Sequence, residues 1–206
     1  GSMAVSAEAF QRYFAPDGPA WAHERQALVK LRPIAGSPEL GQYIAALRDQ
    51  FVYTGEAFDV HAMRAMRERQ LRHLVAGGTF NAKYSPGGLA DLEYLVEGLQ
   101  ITHGHREPSL RRTNIREAMA ALAATGIISE VDYRQMRKAH TFLRWLIDAL
   151  RMVRGNAKDL TVPPDESEEF AFLARRLRYG KDVERLRTEL AGYTTAVLEL
   201  SARLLP

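Results

Sequence analysis

The sequence predicts an all-α protein, a multi-helix bundle of about seven to eight helices with no substantial sheet. Apolar residues recur every three or four positions through most of the chain, and proline, glycine or capping residues separate these stretches. No stretch shows the apolar and polar alternation of a half-buried strand. With 206 residues, 46% of them hydrophobic, the chain can bury one good core.

Three helices are predicted in the first quarter of the chain, each bounded by proline. The first ends at a Pro-Asp-Gly-Pro turn, residues 16–19, and the second stops ahead of Pro33, because the residue before proline is pushed out of the α region. Ser37 is predicted to cap the third, with Pro38 at its first position. These helices cover about residues 5–15, 20–31 and 38–52. The stripe predicted to be buried on the third is Leu40, Ile44, Leu47 and Phe51.

Two further helices are predicted in the middle of the chain, on either side of a short irregular segment. Asp59 is expected to cap the first of them, which stops at Gly77-Gly78. The second covers about residues 89–103. Between them, residues 79–84 are the one place where an extended segment is predicted, because they lack a helical period. Residues 106–112 are predicted to be a loop.

The last part of the chain is predicted to hold its longest helix. Thr113 is expected to cap a helix that ends at Gly126, and Ser129 to cap the longest one, about residues 130–153. Two final helices, about residues 165–179 and 182–205, are divided at Gly180. On the longest helix the predicted apolar stripe is Met136, Ala139, Leu143, Leu146, Leu150 and Val153.

One helical domain is expected over residues 1–206. Within it, residues 1–3 are interpreted as an expression scar, 4–19 as an N-terminal helix and turn, 20–180 as the main helical region and 181–206 as a C-terminal helix. The absence of cysteine and of a secretory segment favours a reducing, cytoplasmic location. No apolar stretch is long enough to span a membrane, so no membrane partner is expected.

Positive charge gathers on the longest predicted helix, although the net charge is only +3. Residues 134–154 carry six basic side chains against the single acid Asp148. Four of them, Arg134, Arg137, Arg144 and Arg151, lie opposite the apolar stripe of the same helix, so their exposure is expected whatever they do. The six basic residues of this stretch are Arg134, Arg137, Lys138, Arg144, Arg151 and Arg154.

Two segments carry a more specific pattern. The first runs from Trp21 to Gly36 and the second from Phe80 to Gln100. Both resemble the glutamine synthetase adenylyltransferase family, whose members add AMP to glutamine synthetase and remove it. The residues that match in the first segment are Glu24, Gln26, Ala27, Leu28, Lys30 and Arg32. Those in the second are Lys83, Gly87, Gly88, Asp91 and Glu93.

A third stretch, residues 139–150, resembles a further helix of this family through Leu143 and Arg144. The order and spacing of the three segments also agree, and the resemblance covers about residues 20–180. Three positions depart from the family pattern. The family usually has glutamine where this chain has Glu97, an acidic residue at Ile147 and aspartate at Ser37.

The resemblance implies a helical domain that follows a nucleotidyltransferase domain and lines its cleft. For the complete family it also implies ATP, magnesium and AMP transfer to a tyrosine of glutamine synthetase or another protein substrate. No cofactor or metal site is expected in this chain itself. Catalytic carboxylates of the superfamily form an Asp-x-Asp pair on a strand, whereas Asp91 and Glu93 lie on a predicted helix and point about 200° apart.

Several of these residues also have an ordinary structural interpretation. Gly87 and Gly88 with Lys83 are predicted either to contact a phosphate through backbone amides or merely to form a turn. Asp91 and Glu93 either face the cleft or favour the helix dipole. The run Arg64, Arg67 and Arg72 fits a nucleotide triphosphate or a solvated face.

His103 and His105 lack a nearby third ligand, so a metal site there is disfavoured. No residue is assigned a catalytic role. The residues predicted to face the cleft or contact nucleotide are Lys30, Arg32, Lys83, Gly87, Gly88, Asp91, Glu93 and Arg144. The alternative is a stand-alone helical module whose basic residues 134–154 bind nucleic acid or a protein partner, of which nucleic acid is the less expected.

Overall fold

A computed structural model describes residues 4–205, apart from the side chain of Ala22. Residues 1–3, interpreted above as an expression scar, lie outside this range. The described chain has nine α-helices and two 3-10 turns, so the all-α prediction is confirmed and the helix count is slightly higher than expected. The helices are α1 (Ala7–Phe14), α2 (Ala22–Ala27), α3 (Pro38–Val52), α4 (Val60–Leu74), α5 (Leu89–His103), α6 (Ile115–Ala124), α7 (Glu130–Arg154), α8 (Glu168–Arg176) and α9 (Val183–Leu204).

Hydroxyl and carboxylate caps begin most of these helices, as the sequence suggested. Ser37 accepts the amide of Leu40 at 3.2 Å, Asp59 that of Ala62 at 2.8 Å, and Ser129 that of Asp132 at 3.1 Å. The cap of α6 is Asn114, whose side chain accepts two amides, so the prediction of Thr113 was one residue too early. Residues 106–112 contain a 3-10 turn, Pro108–Leu110, where only a loop was predicted.

The described residues form two compact units. One comprises residues 4–63 and 96–127, and the other comprises residues 64–95 and 128–205. Helices α4 and α5 therefore supply residues to both. Whether the chain folds as the one domain predicted from its sequence stays a prediction. No helix in the described ranges is both long enough and apolar enough to cross a bilayer.

The first unit is built around α3. Its core contains residues from the 3-10 turn Leu28–Lys30 and from the last two turns of α3, against which aromatic rings of α1 pack. The rings of Phe10 and Phe14 lie 4.9 Å apart, and that of Phe14 stacks on Phe51. The stripe predicted on α3 is buried only at its C-terminal end, since Leu40 is 53% exposed.

The second unit is built around α7, which packs against α8 and α9. The predicted apolar stripe of α7 is fully buried over its first five members and half-buried at Val153. A short antiparallel bridge pairs Asn81 with Thr161, which partly confirms the extended segment predicted at residues 79–84. An ion pair also joins α7 to α9, because Arg203 donates to both carboxylate oxygens of Asp132, the shorter contact being 2.7 Å.

This ion pair makes stability depend on pH. The hydrogen bond from Arg203 holds the pKa of Asp132 below its ordinary value. At pH values above the ordinary pKa of aspartate, the ionised carboxylate therefore stabilises the fold. This contribution is lost as pH falls through the lowered pKa that Asp132 has in the folded protein. We expect Asp132→Asn to lower the melting temperature at pH 7 by roughly 2–4 °C. The difference from the wild type should shrink in acid, as thermal unfolding across pH would show.

The matched control is Asp148→Asn. Asp148 also pairs with an arginine, Arg151, but both side chains of that pair are exposed. Exposed pairs contribute little to stability, so no measurable change is expected. Equal effects of the two substitutions would contradict the assignment of a special role to Asp132.

Candidate functional site

The second family-like segment forms a tight turn ahead of α5. The carboxamide oxygen of Asn81 accepts the amides of Lys83 and Tyr84, both at 3.0 Å, as in an Asx turn. The amide of Asn81 donates to the hydroxyl of Ser85 at 2.8 Å. The neighbouring backbone pairs with residues 160–162, since the amide of Ala82 donates to the carbonyl of Leu160. Local side chains and a strand-like contact therefore fix this turn.

Both glycine amides of the turn already have partners. The amide of Gly87 donates to Asp91 at 2.7 Å, and that of Gly88 donates to the carbonyl of Ser85 at 2.8 Å. The next two amides, of Leu89 and Ala90, also donate to backbone carbonyls. Any contact of Gly87 and Gly88 with a phosphate would have to proceed without these amides, so the arrangement favours the interpretation as a turn.

Asp91 is the centre of a hydrogen-bonded cluster, the Asp91 clasp, which comprises Arg67, Tyr84, Gly87 and Asp91. One carboxylate oxygen of Asp91 accepts the Nε of Arg67 at 2.6 Å, and the other accepts the amide of Gly87. Arg67 also donates to the carbonyl of Tyr84 and to Gln70, both at 2.9 Å. The side chains of Arg67 and Asp91 are 11% and 18% exposed, so this is a largely buried and well satisfied ion pair.

The first family-like segment contributes to a second cluster, the Glu97 clasp, in which its Gln26 and Lys30 contact Glu97 of the second segment. The carboxylate of Glu97 is buried, and it accepts the side-chain amide of Gln26 at 2.8 Å. The Nζ of Lys30 lies 2.9 Å from its other oxygen. A buried carboxylate without such partners is costly, so these two matched residues make Glu97 tolerable in the core of the first unit.

The predicted site residues are divided between the two units. Lys30 and Arg32 belong to the first, and Arg32 is exposed and makes no ion pair or side-chain hydrogen bond within residues 4–205. Within the second unit, the Nζ of Lys83 lies 5.0 Å from the centre of the Tyr84 ring, and Arg144 is exposed on α7. The other predicted site residues that belong to the second unit all lie near the turn. They are Gly87, Gly88, Asp91 and Glu93.

Two of the candidate arginines on α4, and one of the two candidate histidines, have partners within the fold. Of the run on α4, Arg67 belongs to the Asp91 clasp and Arg64 donates to the carbonyl of Leu205 at 3.1 Å. His105 contacts the carbonyl of Tyr53. Within the described ranges no three His, Asp or Glu side chains are placed to hold a metal ion.

Sequence reasoning left Arg67 between two roles and recognised Glu97 only as a departure from the family pattern. The structure gives both of them inward partners. Arg67 is 24 residues from Asp91, and Gln26 is 71 residues from Glu97, so no local spacing could have revealed these pairs. The one available signal was the presence of three carboxylates, Asp91, Glu93 and Glu97, on the apolar helix α5.

Comparison with known proteins gives a consistent result. A family profile described as GlnD PII-uridylyltransferase matches residues 61–205. Among the curated relatives is the bifunctional glutamine synthetase adenylyltransferase/adenylyl-removing enzyme of Streptomyces avermitilis, 36% identical over 163 residues, which cover 76% of this chain and 16% of that protein. The enzyme of the same description from Stenotrophomonas maltophilia is 35% identical over 212 residues, covering 100% of this chain and 22% of the relative.

The Mycolicibacterium smegmatis enzyme with this description is 35% identical over 195 residues, 89% of this chain and 19% of the relative. The chain thus spans about a fifth of the length of the curated relatives it matches. These comparisons confirm the resemblance seen in the two segments.

The turn also generates a prediction about Gly87. Its φ is +76°, and a Cβ there would collide with the carbonyl of Thr194 on α9. We expect Gly87→Ala to lower the free energy of unfolding by about 3 kcal/mol, through left-handed backbone strain together with overpacking. Urea denaturation measures this change.

Gly180→Ala is the matched control. Gly180 has a φ of +64°, but no atom lies within 4 Å of a Cβ built there. Only the strain of about 1 kcal/mol should remain. A loss at Gly87 no larger than the loss at Gly180 would show that the turn is not packed against α9.

Proposed function

This chain belongs to the GlnD PII-uridylyltransferase family, and on that premise we propose that it is a non-catalytic helical domain of a nucleotidyltransferase. In this proposal it lines the cleft for nucleotide and protein substrate, and it supports AMP transfer or removal by an adjacent catalytic domain. The protein substrate would be glutamine synthetase or another protein, and the catalytic domain would use ATP and magnesium. The place of action would be the cytoplasm.

One observation carries the proposal. Two carboxylates of the second family-like segment, Asp91, which matches the family, and Glu97, which departs from it, are each paired with a cation inside their own unit. A carboxylate whose two oxygens each accept a donor, and whose charge is paired with arginine or lysine, offers no open and uncompensated position of the kind that magnesium requires. These residues therefore hold the helices in place, and the chemistry is left to carboxylates outside them.

The cations Arg32 and Arg144 are the best candidates for cleft contacts. Both match the family-like segments and both are exposed. Neither makes an ion pair or a side-chain hydrogen bond within the described part of the chain, so neither is needed to hold the fold. Guanidinium groups suit phosphate because they present several donors in a planar fork.

A chimera tests the proposal. In the Stenotrophomonas maltophilia enzyme, the matched segment is replaced by this chain, and transfer of label from ATP to glutamine synthetase is measured with magnesium. We expect the chimera to transfer label and this chain alone to transfer none. In the chimera, Arg32→Ala and Arg144→Ala should each lower the rate by about tenfold, as expected for loss of about 1.4 kcal/mol of transition-state binding.

The control is Arg116→Ala, since Arg116 is an exposed arginine on α6 outside the three segments. It should leave the rate unchanged. Transfer of label by the isolated chain would refute the non-catalytic role. A folded chimera without activity would refute the supporting role.

A further inference from the structure

The outer face of α7 in the second unit carries a long groove, here called the α7 groove. It consists of two adjoining cavities of about 400 and 340 Å³, which share Trp145 and Leu177. Its α7 side extends from Arg134 to Met152, a distance of about 27 Å at 1.5 Å per residue. The opposite side is formed by the end of α8, the segment that follows it, and α9.

One end of the groove is basic. Arg134, Arg137 and Lys138 line the larger cavity, and the one acid among its lining residues is Glu189. Arg137 and Lys138 are exposed and make no ion pair within residues 4–205. These charges are thus available to an acidic ligand.

The charge of Glu189 is already satisfied. It accepts the hydroxyl of Tyr179 at 2.5 Å and the Nε of Arg185 at 2.9 Å. These hydrogen bonds, that from Tyr179 first, keep the pKa of Glu189 below its ordinary value, so it stays ionised and paired. The basic end of the groove therefore keeps its positive character.

The middle of the groove offers apolar surface to an incoming side chain. Trp145, which both cavities share, is 65% exposed, and Met152, at the far end of the α7 side, is 62% exposed on the same face of the helix. In the larger cavity, which Trp145 also lines, the rings of Phe142 and Tyr193 pack with centres 4.7 Å apart. A large exposed aromatic in a cavity, with cations beside it, is typical of the centre of a protein interface.

Nucleic acid fits the groove less well. Five cations line the groove together with the acids Asp148 and Glu189. Of its aromatic lining residues only Trp145 is exposed, whereas single-stranded nucleic acid stacks successive bases on several rings. Short acidic segments with an apolar anchor match both the charge and the exposed tryptophan.

We propose that the α7 groove binds an acidic segment of a partner protein, which inserts an aromatic or aliphatic side chain against Trp145. Its carboxylates pair with Arg134, Arg137 and Lys138. This inference does not depend on the proposed function, because it uses none of the residues assigned to the cleft.

Peptide display tests the proposal without a known partner. A random library of 12-residue peptides is selected for binding to the full chain. Peptides that also bind the triple variant Arg137→Glu, Lys138→Glu, Trp145→Ser are removed. The three substituted residues are exposed, so the variant should still fold. We expect a consensus that combines several Asp or Glu with one aromatic or aliphatic residue. Absence of a consensus, or a basic one, would overturn the proposal.

Tryptophan fluorescence then locates the selected peptide. Trp21→Phe leaves Trp145 as the sole tryptophan, because the chain has two. The peptide should shift its emission, and Lys138→Glu should weaken binding by about tenfold or more, as loss of a well placed charge pair does. The matched control Lys158→Glu changes an exposed lysine of the same unit outside the groove and should have little effect.

A single-stranded oligonucleotide serves as the competitor. If it displaces the peptide at lower concentration, with affinity that falls steeply as salt rises, the groove binds nucleic acid and the proposal is wrong. Equal weakening by the Lys138 and Lys158 substitutions would also refute it, because net charge would then explain the binding. Circular dichroism confirms that each variant is folded.

Discussion

The carboxylate of Asp91 accepts the guanidinium of Arg67 on one oxygen and the amide of Gly87 on the other. Through this clasp α4 is tied to the start of α5 and to the turn before it. Gly87 in turn packs against the backbone of Thr194 on α9. Three helices of the second unit thus meet at one turn, and the fold there depends on a charge that must remain paired, because an unpaired buried carboxylate is costly.

The Glu97 clasp applies the same principle in the first unit. Gln26 and Lys30 approach Glu97 from the segment that precedes α3, so two stretches separated by about seventy residues are joined by one carboxylate. Packing and charge pairing within the fold therefore account for most of the residues that match the family. Arg32 and Arg144 are the exceptions, since both point into solvent without partners in the described residues.

Local features of the sequence predicted the fold well. Caps and helix starts such as Ser37, Asp59 and Ser129 depend on contacts within three residues, and the bounds of α5 follow from spacing alone. The clasps could not be predicted, because their partners are distant in sequence and no periodicity links them. Periodicity likewise could not tell which end of α3 is covered, so Leu40 was expected to be buried and is exposed. The α7 groove was visible only as a basic stripe, since Tyr179 and Tyr193, which complete its lining, come from the segment after α8 and from α9.

Chemical denaturation of wild type and Asp91→Asn, each with and without 10 mM magnesium (about ten times a millimolar affinity), tests the central claim that Asp91 holds the fold and binds no metal. The account predicts that Asp91→Asn lowers the free energy of unfolding by about 2 kcal/mol, since it removes the charged acceptor of a largely buried arginine. It also predicts that magnesium changes neither protein. Stabilisation of the wild type by magnesium, lost in Asp91→Asn, would contradict it.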